Sequence, residues 1–332
     1  FYSRTPWGPI LNMTETAVQY ALQRGLPKKT RSICPECGKI LEADLYAKDG
    51  KVWMDKSCPE HGKFSDVYWS DVDLFLKAEK FAYDGIGLHD PKDQTLADGA
   101  DDTVGIVIDG QKIDMLSCTM LANLDLTNRC NMKCPICFAN ANDAGYVYEP
   151  SFQQVHDMMV ALRSEYPIKC TAIQFAGGEP TVYPQFVEAV KDAKDLGFAQ
   201  VQVATNGIKF AQDYEFLKAS KNAGLNTIYL QFDGLTDDIY MRSRGRKMMK
   251  VKIGVLENCR RLAAEGLKPP SVVLVPVVGT GMNDDIIGDI IRFAFEWSDV
   301  IRGVNFQPLA FTGRVTHEEV ASGRFTLPDL VR

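Results

Sequence analysis

The sequence predicts an α/β protein, a parallel sheet covered by helices, with a small metal-binding region ahead of it. Three observations carry that expectation. From residue 120 onward, short apolar strands alternate with segments of helical periodicity in six successive units. Three of the helices close on the same Gly-apolar pair just before the next strand. Ahead of the strand–helix units stand two copies of one short ligand pattern, Cys34-Pro-Glu-Cys37-Gly38 and Cys58-Pro-Glu-His61-Gly62.

Each copy lets two side chains from one tight turn reach the same ion, and Gly38 and Gly62 let the backbone turn close to the ligand atoms. Twenty residues separate Cys37 from Cys58. Within them Ile40–Ala47 and Lys51–Lys56 read as strands joined at Lys48-Asp49-Gly50. Two knuckles bridged by a hairpin make a ribbon-type tetrahedral site of Cys34, Cys37, Cys58 and His61. Zinc and a mononuclear iron both suit such a set. A structural staple for a small region is the expected role. Farther on, Ser70–Phe81 has helical spacing, Gly85–Gly99 reads as a linker, and Val104–Ile108 with Gln111–Asp114 reads as a second hairpin.

In the larger part the strands are expected at Met120–Leu126, Ala172–Phe175, Val201–Ala204, Thr227–Phe232, Ser271–Pro276 and Gly303–Gln307. Helices fall between them, near 152–165, 184–196, 212–223, 248–265 and 284–296. Ser151 and Gln154 have capping-box spacing, and Val155, Met158, Met159 and Leu162 share one face as core fillers. Leu196-Gly197-Phe198, Ala223-Gly224-Leu225 and Glu265-Gly266-Leu267 each suit a left-handed helix end with an apolar residue folding back. Six such units make either a partial barrel or an open doubly wound sheet. In both, reactive groups belong at the C-terminal ends of the strands.

Those ends carry chemistry. After the first strand comes Cys130-Asn-Met-Lys-Cys134-Pro-Ile-Cys137, three thiols in one loop. They suit an iron–sulfur cluster with one iron left open, or a zinc ion borrowing a fourth ligand. After the second strand, Gly177-Gly178 permits close backbone approach and Glu179 offers an acceptor for an ammonium group. Asn206 follows the third strand. Gln231 and Asp233 end the fourth, the acid suited to ribose hydroxyls, and Arg242, Arg244 and Arg246 follow as forks for a carboxylate.

Composition sets bounds on function. The 332 residues are 45% hydrophobic and 24% charged, with net charge −6, which excludes disorder and argues against a nucleic-acid partner. No apolar run reaches membrane-spanning length, and the N-terminal residues show no signal-peptide pattern. Cytoplasmic location is expected. Nine cysteines in such a chain read as metal or redox sites rather than disulfides. Cys118, Cys170 and Cys259 lack ligand spacing and read as structural, while His89 stays unplaced and His156 is expected on a solvent face of its helix. Phe1 and the helix-like start Thr326-Leu-Pro-Asp329 raise the expectation of a longer protein with a missing C-terminal part.

At Cys130, Cys134, Cys137 and Gly177-Gly178-Glu179-Pro180 the chain resembles the radical S-adenosylmethionine (SAM) superfamily, whose C-x3-C-x2-C and GGEP motifs these match in order. The resemblance implies a partial (β/α)6 barrel, a [4Fe-4S] cluster on the three cysteines, and SAM chelated to the open iron. One electron would cleave SAM to methionine and a 5′-deoxyadenosyl radical, which takes hydrogen from an unactivated carbon. It also gives Glu179 and the Gly177–Gly178 backbone to the SAM amino group. Asn206, Gln231 and Asp233 go to the ribose or methionine end, Arg244 to the carboxylate, and the Ile136 backbone to adenine.

The N-terminal knuckles look like those of the archaeal group that contains tetraether lipid synthase and relatives assigned to methylation of the methanopterin ring. That likeness implies a rubredoxin-like or zinc-ribbon site holding one mononuclear iron or zinc. The leading expectation is oxidoreductase-type C–C coupling of lipid chains, with a reducing donor such as ferredoxin and peripheral membrane contact through the lipid. The first alternative is a methyltransferase acting on a pterin. The second is a non-enzymatic zinc-ribbon binding module. A long apolar cavity would mark the lipid substrate. No Cys follows Cys259, so no auxiliary-cluster ligands stand downstream within these residues. The expected organisation is 1–115 for the ribbon (34–62) and linker, 116–315 for the barrel, and 316–332 for the start of a C-terminal region.

Overall fold

The computed structural model describes residues 24–82, 105–108, 111–114, 119–142, 144–165, 168–310 and 324–331, with 105–108 and 111–114 as backbone alone. The linker at 85–99, His89 and Cys118 lie outside the described residues. The chain divides into two compact units, Phe1–Asp84 and Gly85–Arg332.

The first unit is a four-stranded antiparallel sheet in sequential order: β1 (Lys28–Ile33), β2 (Ile40–Lys48), β3 (Lys51–Cys58) and β4 (Gly62–Trp69). The expected hairpin is β2–β3. Its turn residues Asp49 and Gly50 both take positive φ, 51° and 71°, the two-residue turn whose twist matches the strands. Strands β1 and β4 were not anticipated. Lys28-Lys-Thr-Arg-Ser-Ile33 alternates in burial without ever burying a residue fully, so its apolar pattern is faint. Two small cores hold the sheet: Cys34, Leu41 and Cys58 with Phe64, and Leu45, Val52 and Phe75 with Trp69. Phe75 comes from α1 (Val72–Glu79), whose first turn is capped by Asp71 accepting from the Leu74 amide at 2.9 Å.

In the second unit β5 (Gly105–Ile108) and β6 (Gln111–Asp114) pair antiparallel as expected. The alternation then begins with β7 (Ala122–Thr127), α2 (Phe152–Arg163), β8 (Ala172–Gly177), α3 (Phe186–Asp195) and β9 (Gln200–Thr205). It continues through α4 (Ile208–Gln212), α5 (Tyr214–Asn222), β10 (Thr227–Gln231), α6 (Asp237–Arg244), α7 (Met249–Ala264) and β11 (Ser271–Val275). It ends with β12 (Val277–Val278), α8 (Ile287–Glu296), β13 (Ile301–Val304), β14 (Gln307–Pro308) and α9 (Leu327–Val331).

Six strands form one parallel sheet in the order β13-β11-β10-β9-β8-β7. The order never reverses, so the sheet is wound in one direction. That decides for the partial barrel over a doubly wound sheet, which must reverse at a switch point. The last strand was expected at Gly303–Gln307 and runs instead from Ile301 to Val304. Gln307–Pro308 leaves the main sheet and pairs with Val277–Val278. The helices α4 and α6 were also not anticipated, α4 being only five residues long and α6 short and rich in polar residues.

One face of the sheet packs under the helices. Leu124, Leu126, Ile173, Phe175, Val201, Val203, Ile228, Leu230, Val272 and Leu274 join Val155 and Met159 of α2 and Phe186 and Val190 of α3 in one core. The capping box on α2 is present in both halves. Phe198, Leu225 and Leu267 fold back past their glycines onto Ala193, Ser220 and Leu262, as the Gly-apolar pairs predict. Cys170 and Cys259 are fully buried core thiols, and burial pushes Cys259 up to about 12. His156 departs from expectation. It is half-buried, with Nδ1 2.8 Å from Asp192 on α3.

Candidate active site and metal centre

In the first unit the knuckle turn is closed by the Gly38 amide donating to the Cys34 carbonyl at 2.9 Å. Gly38 and Gly62 have φ of 71° and 81°, and a Cβ on either would meet nothing within 4 Å. The left-handed backbone, not crowding, calls for glycine there. The ligand atoms of Cys34, Cys37, Cys58 and His61 all lie within 4.8 Å of one another. Cys58 Sγ is 3.5 Å from His61 Nδ1, and Cys37 Sγ is 3.9 Å from Cys58 Sγ. The His61 ring and the Glu60 and His61 backbone hold the Cys58 thiol below its ordinary value against burial. Three sulfurs and one imidazole at this spacing fit a single tetrahedral ion.

In the second unit the reactive residues gather after β7, β8, β9 and β10, where the sheet's C-terminal ends were expected to place them. Cys130, Cys134 and Cys137 share one loop, with Cys137 N donating to the Cys134 carbonyl at 3.3 Å. Asn142, at φ 72°, braces that loop. Its Oδ1 accepts from the Cys130 amide at 2.9 Å, and its Nδ2 donates to the carbonyls of Cys130 and Met132. Burial lifts the Cys130 thiol to about 12 and raises Cys134 as well, the latter opposed by the Arg244 guanidinium beside it. Thiols so placed ionise when a metal takes the sulfur. Among the described residues, the N-terminal ligands form the one group whose atoms all lie within single-ion reach, and these three sulfurs do not form another. Their donor chemistry fits a multi-iron cluster better than one zinc ion.

The glycine pair has a use that the sequence only half disclosed. A Cβ on Gly177 would lie 2.3 Å from the Thr127 carbonyl oxygen, and one on Gly178 would lie 2.2 Å from that of Arg129. Gly178 N donates to Thr127 O at 2.7 Å and Glu179 N to Arg129 O at 2.9 Å. The close approach is therefore by the stem of the cysteine loop, and these two amides are already committed to it.

Glu179 is 1% exposed. Burial raises its pKa, opposed by its donors. Oε1 accepts from the Thr181 and Thr205 hydroxyls, each at 2.6 Å, and Oε2 accepts from the Asn206 amide at 2.8 Å. Oε2 keeps a lone pair for an ammonium group. Pro180 is buried behind it and opens a short 3-10 turn. Asn206 Nδ2 donates to Asn131 of the cysteine loop at 2.7 Å. Ile136, in that loop, is half-buried.

Asp233 and Arg244 are paired with each other. They form a buried fork, Arg244 Nε to Asp233 Oδ2 at 2.5 Å and Nη2 to Oδ1 at 2.8 Å. Ser243 Oγ, Gln231 Nε2 and the Val277 amide also donate to this carboxylate. Burial works to raise its pKa, but Arg244, Lys252 and Ser243 hold it below the ordinary range. Its lone pairs are filled, so it does not offer itself to ribose hydroxyls. Arg244 comes from α6, because that segment folds as a helix instead of a loop. Arg242 instead donates to the carbonyls of Gly281 and Met282.

Lys252 was missed. It is fully buried, and its Nζ donates to the Asn206 carbonyl at 2.7 Å and to Gln231 Oε1 at 3.1 Å. Burial pulls its pKa down to about 7. The sequence held the signal: Lys252 stands on the buried stripe of α7 with Val255, Leu256, Cys259 and Leu262.

Residues 124–294 match the family profile of the Radical SAM superfamily. The chain belongs to that superfamily. Members of that family work with a [4Fe-4S] cluster and SAM. Residues 26–70 match a profile described as the HMPTM N-terminal zinc ribbon domain. Over 307 residues, 92% of this chain and 58% of the relative, it is 47% identical to a protein of Methanocaldococcus jannaschii named 7,8-dihydro-6-hydroxymethylpterin dimethyltransferase. A GTP 3′,8-cyclase of Microcystis aeruginosa is 25% identical over 191 residues, 56% of each chain. Among solved structures, Streptococcus suis SuiB bound to S-adenosylmethionine superposes with a TM-score of 0.47 at 16% identity, covering 60% of this chain and 44% of that one. The chain thus spans less than two thirds of the length of these curated relatives. Among the described residues, no helix is long and apolar enough to cross a membrane.

Proposed function

We propose that this radical SAM enzyme methylates carbon on a pterin ring. The observation that carries the reading is the 47% identity, across both units, to the relative named as a pterin dimethyltransferase. A second observation supports it over lipid coupling. The sheet face turned away from the helices bears Asn123, Gln174, Gln202 and Tyr229, amides and a phenol that suit a polar heterocycle and not an alkyl chain.

In this reading Cys130, Cys134 and Cys137 hold the cluster, and Cys34, Cys37, Cys58 and His61 hold a structural zinc. A cluster and SAM held there would supply radical chemistry able to take hydrogen from carbon. The protein's own part is placement. Thr181, Thr205 and the Asn206 amide fix the Glu179 carboxylate so that its remaining lone pair meets the SAM ammonium. Lys252 fixes Gln231 and Asn206 from below, and Asp233 aims the Arg244 guanidinium beside Cys134.

The test is anaerobic incubation of reconstituted protein with a reductant, SAM bearing a labelled methyl group, and 6-hydroxymethyl-7,8-dihydropterin. A pterin product heavier by labelled methyl groups is expected, with 5′-deoxyadenosine and methionine from the SAM that starts the radical and S-adenosylhomocysteine from a second SAM that gives each methyl. Release of 5′-deoxyadenosine with no methylated pterin would sink the reading.

A further inference from the structure

On the sheet face away from the helices, three amides stand in one register row across three strands. Asn123 on β7 pairs with Gln174 on β8, which pairs with Gln202 on β9. Their side chains are linked head to tail, Gln202 Nε2 to Gln174 Oε1 at 2.6 Å and Gln174 Nε2 to Asn123 Oδ1 at 2.7 Å. Each amide thereby fixes its neighbour's rotamer, so the row is ordered before any ligand arrives.

The next row toward the cysteine loop has a different make-up. Asp125 pairs with Ala176, and Ala204 pairs with Tyr229. Leu124 and Leu126 on either side of Asp125 are buried under the helices, so strand alternation turns the carboxylate to the open face. Asp125 is exposed there and has no hydrogen-bond partner among the described residues. The alanines keep the floor between it and the Tyr229 ring low. Three inter-strand steps of about 4.8 Å put roughly 14 Å between the backbones of Asp125 and Tyr229.

We infer that Asp125 is the carboxylate that reads the 2-amino-4-oxopyrimidine edge of the substrate, with the ring lying over Ala176 and Ala204 beside the amide row. This rests on the pterin reading above. That edge presents two adjacent donors, the 2-amino group and the ring N3–H. A carboxylate accepts both at once, in the parallel geometry it uses for a guanidinium fork. The amide row then faces the ring's remaining acceptors. An alkyl chain would leave the Asp125 carboxylate without a partner in a site it dries, which disfavours it. Asp125 also stands five positions before Cys130 on the strand that leads into the cysteine loop, so the same element carries the ring reader and the reactive centre.

The test is equilibrium binding to reconstituted, SAM-loaded protein of two ligands: 6-hydroxymethyl-7,8-dihydropterin and its counterpart with a 2-oxo group in place of the 2-amino group. Wild type should favour the amino compound. In Asp125→Asn, the amino compound should bind about 10–100-fold more weakly, the range for losing a hydrogen bond to a charged group. The 2-oxo compound should lose far less, so the preference collapses. Gln202→Leu should weaken both compounds together. Unchanged discrimination in Asp125→Asn, with wild type still binding the pterin, would overturn this inference and leave the proposed function standing. Wild type binding neither compound would remove the pterin reading itself.

Discussion

At Lys252 a lysine with no exposed surface sits among Asp233, Arg244, Glu179 and Cys134, and burial dominates, bringing its pKa down to about 7 from 10.5. The unfolded chain keeps that proton up to about pH 10.5, and the folded chain only up to about pH 7. Between the two the unfolded state binds more protons, so this residue makes stability rise with pH. The penalty is present in full below pH 7 and gone above 10.5. Lys252→Met should therefore flatten the stability curve across that window, by up to about 1.4 kcal/mol per pH unit. Urea unfolding of both proteins at several pH values, in thiol reductant, measures it. Parallel curves for wild type and variant would show that Lys252 does not carry the shift. Residues such as this one mark where the sequence was legible and where it was not. The motifs named Cys130, Glu179 and Asn206 and put them at strand ends, because each stands at a fixed offset from an apolar strand. That Asp233 and Arg244 satisfy each other was not legible, since the pairing depends on residues 234–244 folding as a turn and helix.

At the scale of the element, α6 explains much of what was missed. Its mean composition is polar, and only Ile239, Tyr240 and Ser243 are buried, so it leaves little periodic trace. Yet it supplies Ser243 and Arg244 to the Asp233 carboxylate, and Asp237 to its neighbour. Helix α7 has no side-chain cap of its own. Asp237 Oδ1 accepts from the amides of both Met248 and Met249 at 3.0 Å, a cap lent by the preceding helix. Asp237→Ala should cost about 1–2 kcal/mol of stability. Because α7 carries Lys252, it should also weaken SAM binding, while Asp237→Asn restores most of both. Thermal unfolding and SAM equilibrium dialysis provide the two readouts. Loss of stability with SAM affinity unchanged would uncouple the cap from the site. The long strand–helix alternation, by contrast, was legible because its strands bury one full face and its helices end on marked glycines. The edge strand Ile301–Val304 was misplaced because Arg302 and Gly303 break its apolar pattern, whereas Phe306 and Pro308 extend one beyond it.

The whole molecule is two compact units, each with its own core and its own ligand set. The first packs two small clusters around a four-stranded sheet, and one of those clusters includes two of the metal ligands, Cys34 and Cys58. So little buried apolar surface does not hold such a sheet alone, and a structural zinc contributes on the order of 10 kcal/mol to the folding of a comparable site. The second unit has a continuous core running under all six parallel strands. The cysteine loop lies outside that core, with its Met132 in a separate small cluster with Ile208, Tyr240 and Met248. Two transitions are therefore expected on heating the reconstituted protein. A strong chelator should abolish the one in which the β2–β3 amides lose protection from hydrogen exchange, and leave the barrel transition in place. SAM should raise only the barrel transition, by an amount that grows with the logarithm of its concentration. Cys34→Ser should act as the chelator does, and Cys130→Ser should remove the response to SAM without touching the ribbon. A single transition that moves with both zinc and SAM would show instead that the two units fold as one.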